Sequence, residues 1–199
     1  MEILHSNITN KPYLLTLLLL LLLTSNPKIS CSNVPKSYTN FVKKSCNATT
    51  YPTVCTKTLS RYAATVRASP IRLCSAALSV ATQSARGCSA VVTGLAARKD
   101  VSRPEARALK DCMWGLKDAV YQLRRTAGAM ASLGGADREF QWANAKTYAS
   151  AAITDADTCV DGIIEGRKVG RAVRSRIKGC VSDVERRISN ALYLINHLY

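Results

Sequence analysis

Apolar residues recur at alternating steps of three and four along four stretches between residue 70 and the end of the chain. This spacing places side chains on one face of an α-helix, and the region shows little of the strict alternation that is typical of strands. Breaks fall at Ser102-Arg103-Pro104, at Gly134-Gly135 and around Gly162 to Gly170, which leaves helices of roughly 25 to 30 residues. The four seams, in chain order, are Cys74, Leu78, Ala81, Ala85, Cys88, Val92 and Leu95; Leu109, Met113, Leu116, Val120, Leu123, Ala127 and Met130; Trp142, Ala145, Ala149, Ala152, Ala156, Cys159 and Ile163; and Val173, Ile177, Cys180, Val184, Ile188, Ala191, Ile195 and Leu198.

Each of these seams can be hidden from water only against the other seams. The pattern therefore predicts an all-α fold in which residues 70–199 form an antiparallel, up-and-down four-helix bundle. Small residues dominate the third seam, so the third helix should approach its neighbours closely. Ser102 or Arg103 should cap the second helix, since Pro104 and Glu105 suit a first helical turn.

Residues 33–68 predict a helical hairpin in front of the bundle. The segment from Lys36 to Cys46 is a short amphipathic helix with Tyr38, Phe41 and Val42 on one side. Pro52 disfavours the helical conformation at Tyr51 and so forces a break, after which a second short helix should run to about Val66. The hairpin is too short to bury its apolar side alone, and it needs a covalent staple and a docking surface.

Cysteine spacing indicates how the bundle is cross-linked. Cys112 lies 22 or 23 residues before the Gly134-Gly135 turn, and Cys159 lies about 24 residues after it. The two cysteines should therefore lie at the same height on two adjacent antiparallel helices. A bridge there would contribute on the order of 4 kcal/mol. Cys74 and Cys88 are about 21 Å apart on one helix and cannot pair with each other. We expect these two and Cys180 to be free, buried thiols; a bridge from Cys180 to one of them is the alternative.

Cys46 and Cys55 remain, one on each arm of the hairpin. Their bridge would close a loop of about ten residues and stabilise the hairpin by roughly 2.7 kcal/mol. Asn47-Ala48-Thr49 is an N-glycosylation sequon in the turn between the arms, where a glycan on Asn47 would stay in solvent.

Residues 1–32 are predicted to be a secretory signal peptide that is removed. Lys11 precedes an apolar run from Leu14 to Leu23 that is too short to span a bilayer, and Ser30 and Ser32 suit a cleavage site. No later segment is long and apolar enough to be a membrane anchor. We expect residues 33–199 to be a single exported domain. Of the 28 basic and 13 acidic residues, 26 and 12 remain after cleavage, a net charge near +14 that would attract polyanions.

Several classes of chemistry are disfavoured by the composition. After the predicted signal the chain has a single histidine, His197, and none of its cysteines forms a C-x-x-C pair, which argues against a zinc site or other metal site. The same shortage of histidine argues against a serine or cysteine hydrolase. No basic run is interleaved with aromatic residues, so nucleic acid is the weakest candidate partner.

Four stretches resemble the plant invertase and pectin methylesterase inhibitor family in their order and spacing. They are CNATTYPTVC from Cys46 to Cys55, ALKDC ending at Cys112 with Asp118-Ala119-Val120 after it, TYASAAITDADTCVDG from Thr147 to Gly162, and SNAL from Ser189 to Leu192. The resemblance implies a four-helix bundle with an N-terminal hairpin and bridges between the first and second and the third and fourth family cysteines. It also implies no cofactor and no catalysis. It implies a protein of the plant cell wall or vacuole that blocks the active-site cleft of its target in a one-to-one complex. With the predicted signal peptide, we expect an extracellular protein of the apoplast or cell wall.

The resemblance leaves two targets, pectin methylesterase and acid invertase. Invertase inhibitors of this family carry a Pro-Lys-Phe tripeptide between the second and third long helices, and the corresponding stretch from Gly135 to Phe140 lacks it. The Thr-aromatic-x-Ser-Ala-Ala element at Thr147 to Ala152 is more similar to the esterase-inhibiting branch. We therefore favour pectin methylesterase. A cationic protein that adsorbs to membranes or to the cell wall is the remaining class, and dye release from anionic vesicles would identify it.

A polar strip on each of two helices is predicted to contact the target. Asp111 and Asp118 lie a heptad apart on the second long helix, and Thr147, Ser150 and Thr154 recur at helical spacing on the third. A rigid helix face can bind with little loss of conformational entropy. Lys117 stands where relatives tend to have an acidic residue, which could redirect binding. The high positive charge suggests anionic pectin as a further partner.

Overall fold

The computed structural model describes residues 34–165 and 169–199, and the predicted signal peptide lies outside them. Every regular element of the described residues is helical, which confirms the predicted all-α class. Three short helices come first: α1 (Lys36–Asn47), α2 (Pro52–Leu59) and α3 (Ala63–Val66), with a 3₁₀ turn at Ser60–Tyr62 between α2 and α3. Four long helices follow: α4 (Pro70–Ala96), α5 (Arg103–Ala131), α6 (Arg138–Glu165) and α7 (Arg171–Asn196).

The long helices start where their local chemistry favours a start. Pro70 and Pro104 occupy the first turns of α4 and α5, where the missing N–H removes no helical hydrogen bond. The backbone N–H of Glu105 donates to the hydroxyl oxygen of Ser102 at 3.4 Å, so Ser102 is the N-cap of α5 and Arg103 is its first helical residue.

The four long helices form the predicted antiparallel bundle. Helix α5 packs against α4 and α6, and α7 packs against the same two helices from the other side. Short connections reverse the chain between α4 and α5 and between α5 and α6. The alanines of the α6 seam are completely buried, as are Ile177, Ile188 and Ile195 of α7. Apart from Ala149, these side chains belong with the α4 seam to one continuous apolar core.

The buried face of α5 differs from the predicted seam. Ala127 is exposed and Met113 and Val120 are only half-buried, whereas Ala119 and Thr126 are completely buried. The cause is the close approach of α6, which the sequence predicts from its small residues. A Cβ on Gly115 would lie 2.6 Å from the carbonyl oxygen of Asp155, so backbone touches backbone there. The buried stripe of α5 is therefore turned toward α6.

The hairpin has the predicted first arm and an interrupted second arm. Val42 and Cys46 of α1 pack with Cys55 and Leu59 of α2 in the core. The second arm bends at the 3₁₀ turn instead of running straight to Val66. Hydroxyl groups compete with the backbone just before the bend: Thr58 donates to Val54 at 2.8 Å and Ser60 donates to Thr56 at 2.7 Å. Such side-chain bonds to the preceding turn commonly bend helices.

Three disulfide bonds cross-link the described residues. Cys46 pairs with Cys55 inside the hairpin and Cys112 pairs with Cys159 between α5 and α6, which are the pairs that the spacing predicts. The expectation that Cys88 and Cys180 are free thiols is wrong, because they form a bridge between α4 and α7. Their Cα atoms are 5.5 Å apart, within the range that a disulfide requires. The remaining cysteine of the bundle, Cys74, is a free and buried thiol.

Candidate functional site

The predicted contact residues lie on two helices that pack side by side. Asp111 and Asp118 on α5 and Thr147, Ser150 and Thr154 on α6 are all exposed. We call this set the α5–α6 face. Thr147 donates its hydroxyl proton to the carbonyl oxygen of Ala143 at 3.0 Å, which leaves the hydroxyl oxygen free to accept a hydrogen bond from a partner.

The helices that carry this face are fixed to each other. The disulfide between Cys112 and Cys159 lies directly beside Asp111, and its Cα atoms are 3.9 Å apart. Farther along, the guanidinium carbon of Arg125 lies 3.7 Å from the ring centroid of Tyr148, a cation–π contact between α5 and α6. A partner that contacts both helices therefore meets a surface that is already ordered.

Asp118 of α5 and Asp155 of α6 are close enough for their carboxylates to repel each other. Burial and the negative charge of Asp118 raise the pKa of Asp155 above its ordinary value. The Oδ2 atom of Asp155 is buried without a hydrogen-bond partner among the described residues. A cation that approached the exposed carboxylate of Asp118 would reduce the repulsion between the two carboxylates.

Sequence reasoning missed part of the polar strip on α6. The outward row that contains Thr147, Ser150 and Thr154 continues at steps of three and four to Asp157 and Asp161, which are also exposed. The same spacing rule would have found them. Across from them on α7, burial and the charges of Asp157 and Asp161 raise the pKa of Glu185. The row therefore ends in a cluster of acidic side chains.

Acidic residues are distributed unevenly along the chain. From residue 34 onward the first carboxylate is Asp100, so the hairpin and α4 contain basic residues and no Asp or Glu. Helices α5 and α6 together have eight acidic and eight basic residues, so the α5–α6 face belongs to a nearly neutral part of a strongly basic protein. A basic patch on a partner would be repelled less by these two helices than by the hairpin and α4, which would help to orient the two proteins.

One cavity brings together Cys74 and His197, the pair that could suggest a nucleophile and a base. It has a volume of about 270 Å³ and lies where α1, α4 and α7 meet. Burial raises the pKa of Cys74 to about 12, so the thiolate is scarcely populated near neutral pH. The Nδ1 atom of His197 lies 2.8 Å from the carbonyl oxygen of Tyr193 in its own helix. This geometry does not support nucleophilic catalysis.

Among residues 34–165 and 169–199 no group of three or more histidine, cysteine or acidic side chains could hold a metal ion. In the same part of the chain, every helix is too short or too polar to cross a membrane.

Comparison with known proteins gives a consistent result. Residues 40–194 match the family model described as "Plant invertase/pectin methylesterase inhibitor". "Pectinesterase inhibitor 11" of Arabidopsis thaliana is 35% identical over 188 residues, covering 92% of each chain. "Pectinesterase inhibitor 3" of the same plant is 38% identical over 167 residues, covering 80% of this chain and 79% of the relative.

The fold is also similar to that of solved structures. A mutant form of a pectin methylesterase inhibitor from Arabidopsis superposes with a TM-score of 0.60 at 21% identity, covering 77% of this chain and 94% of the other. A second inhibitor structure from Arabidopsis thaliana gives a TM-score of 0.56 at 20% identity, covering 80% of this chain and 97% of the other. At these identities the superpositions support the fold.

Proposed function

Because the chain belongs to the plant invertase/pectin methylesterase inhibitor family, we propose that it inhibits pectin methylesterase by covering the active-site cleft with the α5–α6 face. Relatives that match most of the chain are named pectinesterase inhibitors. Membership of a family of inhibitors agrees with the expectation that the chain is not itself an enzyme. The structural observation that carries the choice of surface is that this face is polar and exposed and that a disulfide fixes its two helices to each other.

Inhibition by this face requires a surface that is complementary to the cleft of the esterase, and it requires no catalytic step. The hydroxyl groups of α6 and the carboxylates of α5 replace the water molecules that fill an empty cleft. Because a disulfide and close backbone contacts already hold both helices, little conformational entropy is lost on binding. A basic side chain of the esterase that reaches the exposed Asp118 would gain a charge-assisted hydrogen bond and relieve the repulsion between Asp118 and Asp155.

The proposed compartment is the plant cell wall. Three disulfides support export, since such bonds persist in oxidising compartments and are rare in the cytosol. Asn47 is exposed at the end of α1, which supports its proposed glycosylation. The hydroxyl of Thr49 in the same sequon is buried and donates to Cys46 at 2.7 Å. A glycan should therefore be added before the hairpin folds.

Demethylated pectin is the proposed second partner. A net charge near +14 after signal cleavage would concentrate the protein on this anionic polymer, close to the enzyme that produces it. Retention on a polygalacturonate column that weakens with added salt is the expected behaviour. Retention that does not change between low and high salt would contradict this partner.

A parallel titration tests the proposed target. The purified protein is added in increasing amounts to a plant pectin methylesterase and to an acid invertase, and the residual activity of each is measured. We expect esterase activity to fall at a one-to-one ratio while invertase activity is unchanged. Loss of invertase activity alone would show that the protein is an invertase inhibitor. Loss of neither activity would refute the proposal for those enzymes.

Matched variants test the proposed surface. Thr154→Arg adds a bulky cation to the exposed row of α6, and Thr93→Arg adds the same group to an exposed position of α4. We expect Thr154→Arg to weaken inhibition at least about tenfold, about 1.4 kcal/mol, and Thr93→Arg to leave it unchanged. If both variants inhibit like the wild type, the α5–α6 face is the wrong surface even where the target is right.

A further inference from the structure

A second polar surface lies on the opposite side of α5, against α4. Two adjacent hollows of about 330 and 320 Å³ share Arg86 and Arg124 and so make one continuous groove between the helices. We call this surface the cationic groove. The residues that define it are Ser79, Gln83 and Arg86 of α4 and Lys117, Tyr121 and Arg124 of α5.

The charge of the groove is uncompensated. Neither hollow has Asp or Glu in its lining. The ion pairs found in the described part of the chain are Arg98 with Asp100 and Arg187 with Asp183, so no described carboxylate neutralises the groove. Lys117 and Arg124 also belong to a heptad row on α5 that starts with Arg103 and Lys110. Cations about 10.5 Å apart therefore continue beyond the groove along one side of the helix.

Uncharged groups in the groove are suited to a sugar. Tyr121 is 57% exposed, and Trp114 two turns before it is 53% exposed with the ammonium of Lys117 4.5 Å from its ring centroid. Aromatic faces of this kind offer apolar contact to the C–H face of a pyranose ring. Ser79 and Gln83 are linked by a 3.3 Å hydrogen bond and offer hydroxyl and amide groups to sugar hydroxyls.

We infer that the cationic groove binds a linear polysaccharide that carries carboxylates at regular intervals. The groove is open along the helix axes, its cations repeat along α5, and it supplies both hydrogen-bonding and aromatic contacts. This inference rests on the pectin partner proposed above and not on enzyme inhibition. Because α4 and α6 contact different sides of α5, a polymer in the groove leaves the α6 hydroxyl groups of the α5–α6 face open to an enzyme.

Two double variants with the same loss of charge test the groove. One carries Arg86→Gln and Arg124→Gln, the two cations that both hollows share, and keeps Lys117. The control carries Arg171→Gln and Arg176→Gln at exposed positions of α7. Binding of each full-length protein to polygalacturonate is measured at fixed low salt, with fully methyl-esterified pectin and phosphatidylserine vesicles as comparison surfaces. Complex formation with pectin methylesterase is followed by gel filtration in the absence of pectin.

We expect the groove variant to bind polygalacturonate at least about tenfold more weakly than the control, a difference of about 1.4 kcal/mol. Both variants should form the same complex with the esterase. The experiment therefore distinguishes a loss of polysaccharide binding from a loss of esterase binding. Equal losses in the two variants would show that net charge alone is responsible and would overturn the inference. A loss on vesicles as large as the loss on polygalacturonate would also overturn it, since the groove would then bind anionic surfaces in general.

Discussion

Asn190 of α7 holds the backbone of Tyr51 at the turn of the hairpin through two hydrogen bonds. The N–H of Tyr51 donates to Oδ1 of Asn190 at 2.9 Å, and Nδ2 of Asn190 donates to the carbonyl oxygen of Tyr51 at 3.0 Å. Asn190 is 3% exposed, so neither bond can be replaced easily by water. Tyr51 is the residue that Pro52 forces out of the helical region, which explains why its backbone groups need an external partner.

Replacing Asn190 should loosen the hairpin. We expect Asn190→Ala to lower the free energy of unfolding by about 1–3 kcal/mol, because it leaves both backbone groups of Tyr51 without a partner. Urea denaturation gives the stability, and hydrogen exchange of the α1 and α2 amides shows where protection is lost. Ser189→Ala, at the neighbouring half-buried position, is the control. Equal protection of the hairpin in both variants would contradict the role of Asn190.

Two glycines of α5 should respond to alanine with opposite signs. A Cβ at Gly115 would lie 2.6 Å from the carbonyl oxygen of Asp155, while a Cβ at Gly128 meets nothing within 4 Å. We expect Gly115→Ala to destabilise the protein by about 1–3 kcal/mol through overpacking. Gly128→Ala should stabilise it by up to about 1 kcal/mol through helix propensity. Thermal unfolding of the two variants measures both, and a stabilised Gly115→Ala protein would show that α6 can move away.

Local patterns were sufficient to predict the helices but not every relationship between them. The seams of α4, α6 and α7 follow directly from helical periodicity, and Cys112 and Cys159 flank a single turn, so counting residues aligns them. Cys88 and Cys180 lie on helices that are not consecutive, and no turn fixes their register. The rotation of α5 toward α6, which buries Thr126 and exposes Ala127, depends on how closely two backbones approach.

The candidate site, too, could be predicted only where its features depend on a single helix. Exposure of Asp111, Asp118 and the α6 hydroxyls could be predicted from their position beside the seams. The pairing of Asp118 with Asp155 could not, because it depends on the relative height of the two helices. The contact between Asn190 and Tyr51 joins residues 139 positions apart, and no local pattern indicates it.

The third disulfide should contribute more to stability than the hairpin bridge. Cys88 and Cys180 are 92 positions apart, whereas Cys46 and Cys55 are 9 apart. In the chain-entropy model, replacing both cysteines of the long loop by alanine costs about 4.6 kcal/mol, against about 2.7 kcal/mol for the short loop. Guanidinium denaturation of the two double variants tests this order. A smaller loss for the Cys88→Ala, Cys180→Ala protein would contradict an entropic origin.

The thiol of Cys74 should be unreactive toward alkylating reagents in the folded protein. Burial raises the pKa of its thiol to about 12, and the residue is 1% exposed, so both the thiolate population and access are low. We expect iodoacetamide at pH 8 to leave Cys74 unmodified in the native protein and to modify it fully in guanidinium, as read by peptide mass spectrometry. Rapid native labelling would mean that the cavity around it opens often.

Replacement of Asp155 should stabilise the protein at neutral pH and not in acid. Burial and Asp118 raise its pKa above the ordinary value of 3.8, so the folded state binds a proton more tightly than the unfolded chain does. The free energy of unfolding therefore falls as the pH rises from about 3.8 through the raised folded-state pKa, and the charged carboxylate opposes folding above that window.

Asp155→Asn removes this carboxylate, and we expect its stability advantage over the wild type at pH 7 to disappear as the pH falls below that window. Asp100→Asn provides the opposite control, because a hydrogen bond from Arg98 lowers the pKa of Asp100 and its loss should give no gain at pH 7. Denaturation midpoints for the three proteins at pH 3 and pH 7 check the sign. An Asp155→Asn protein less stable than the wild type at pH 7 would mean that Asp155 makes a favourable contact that outweighs its repulsion from Asp118.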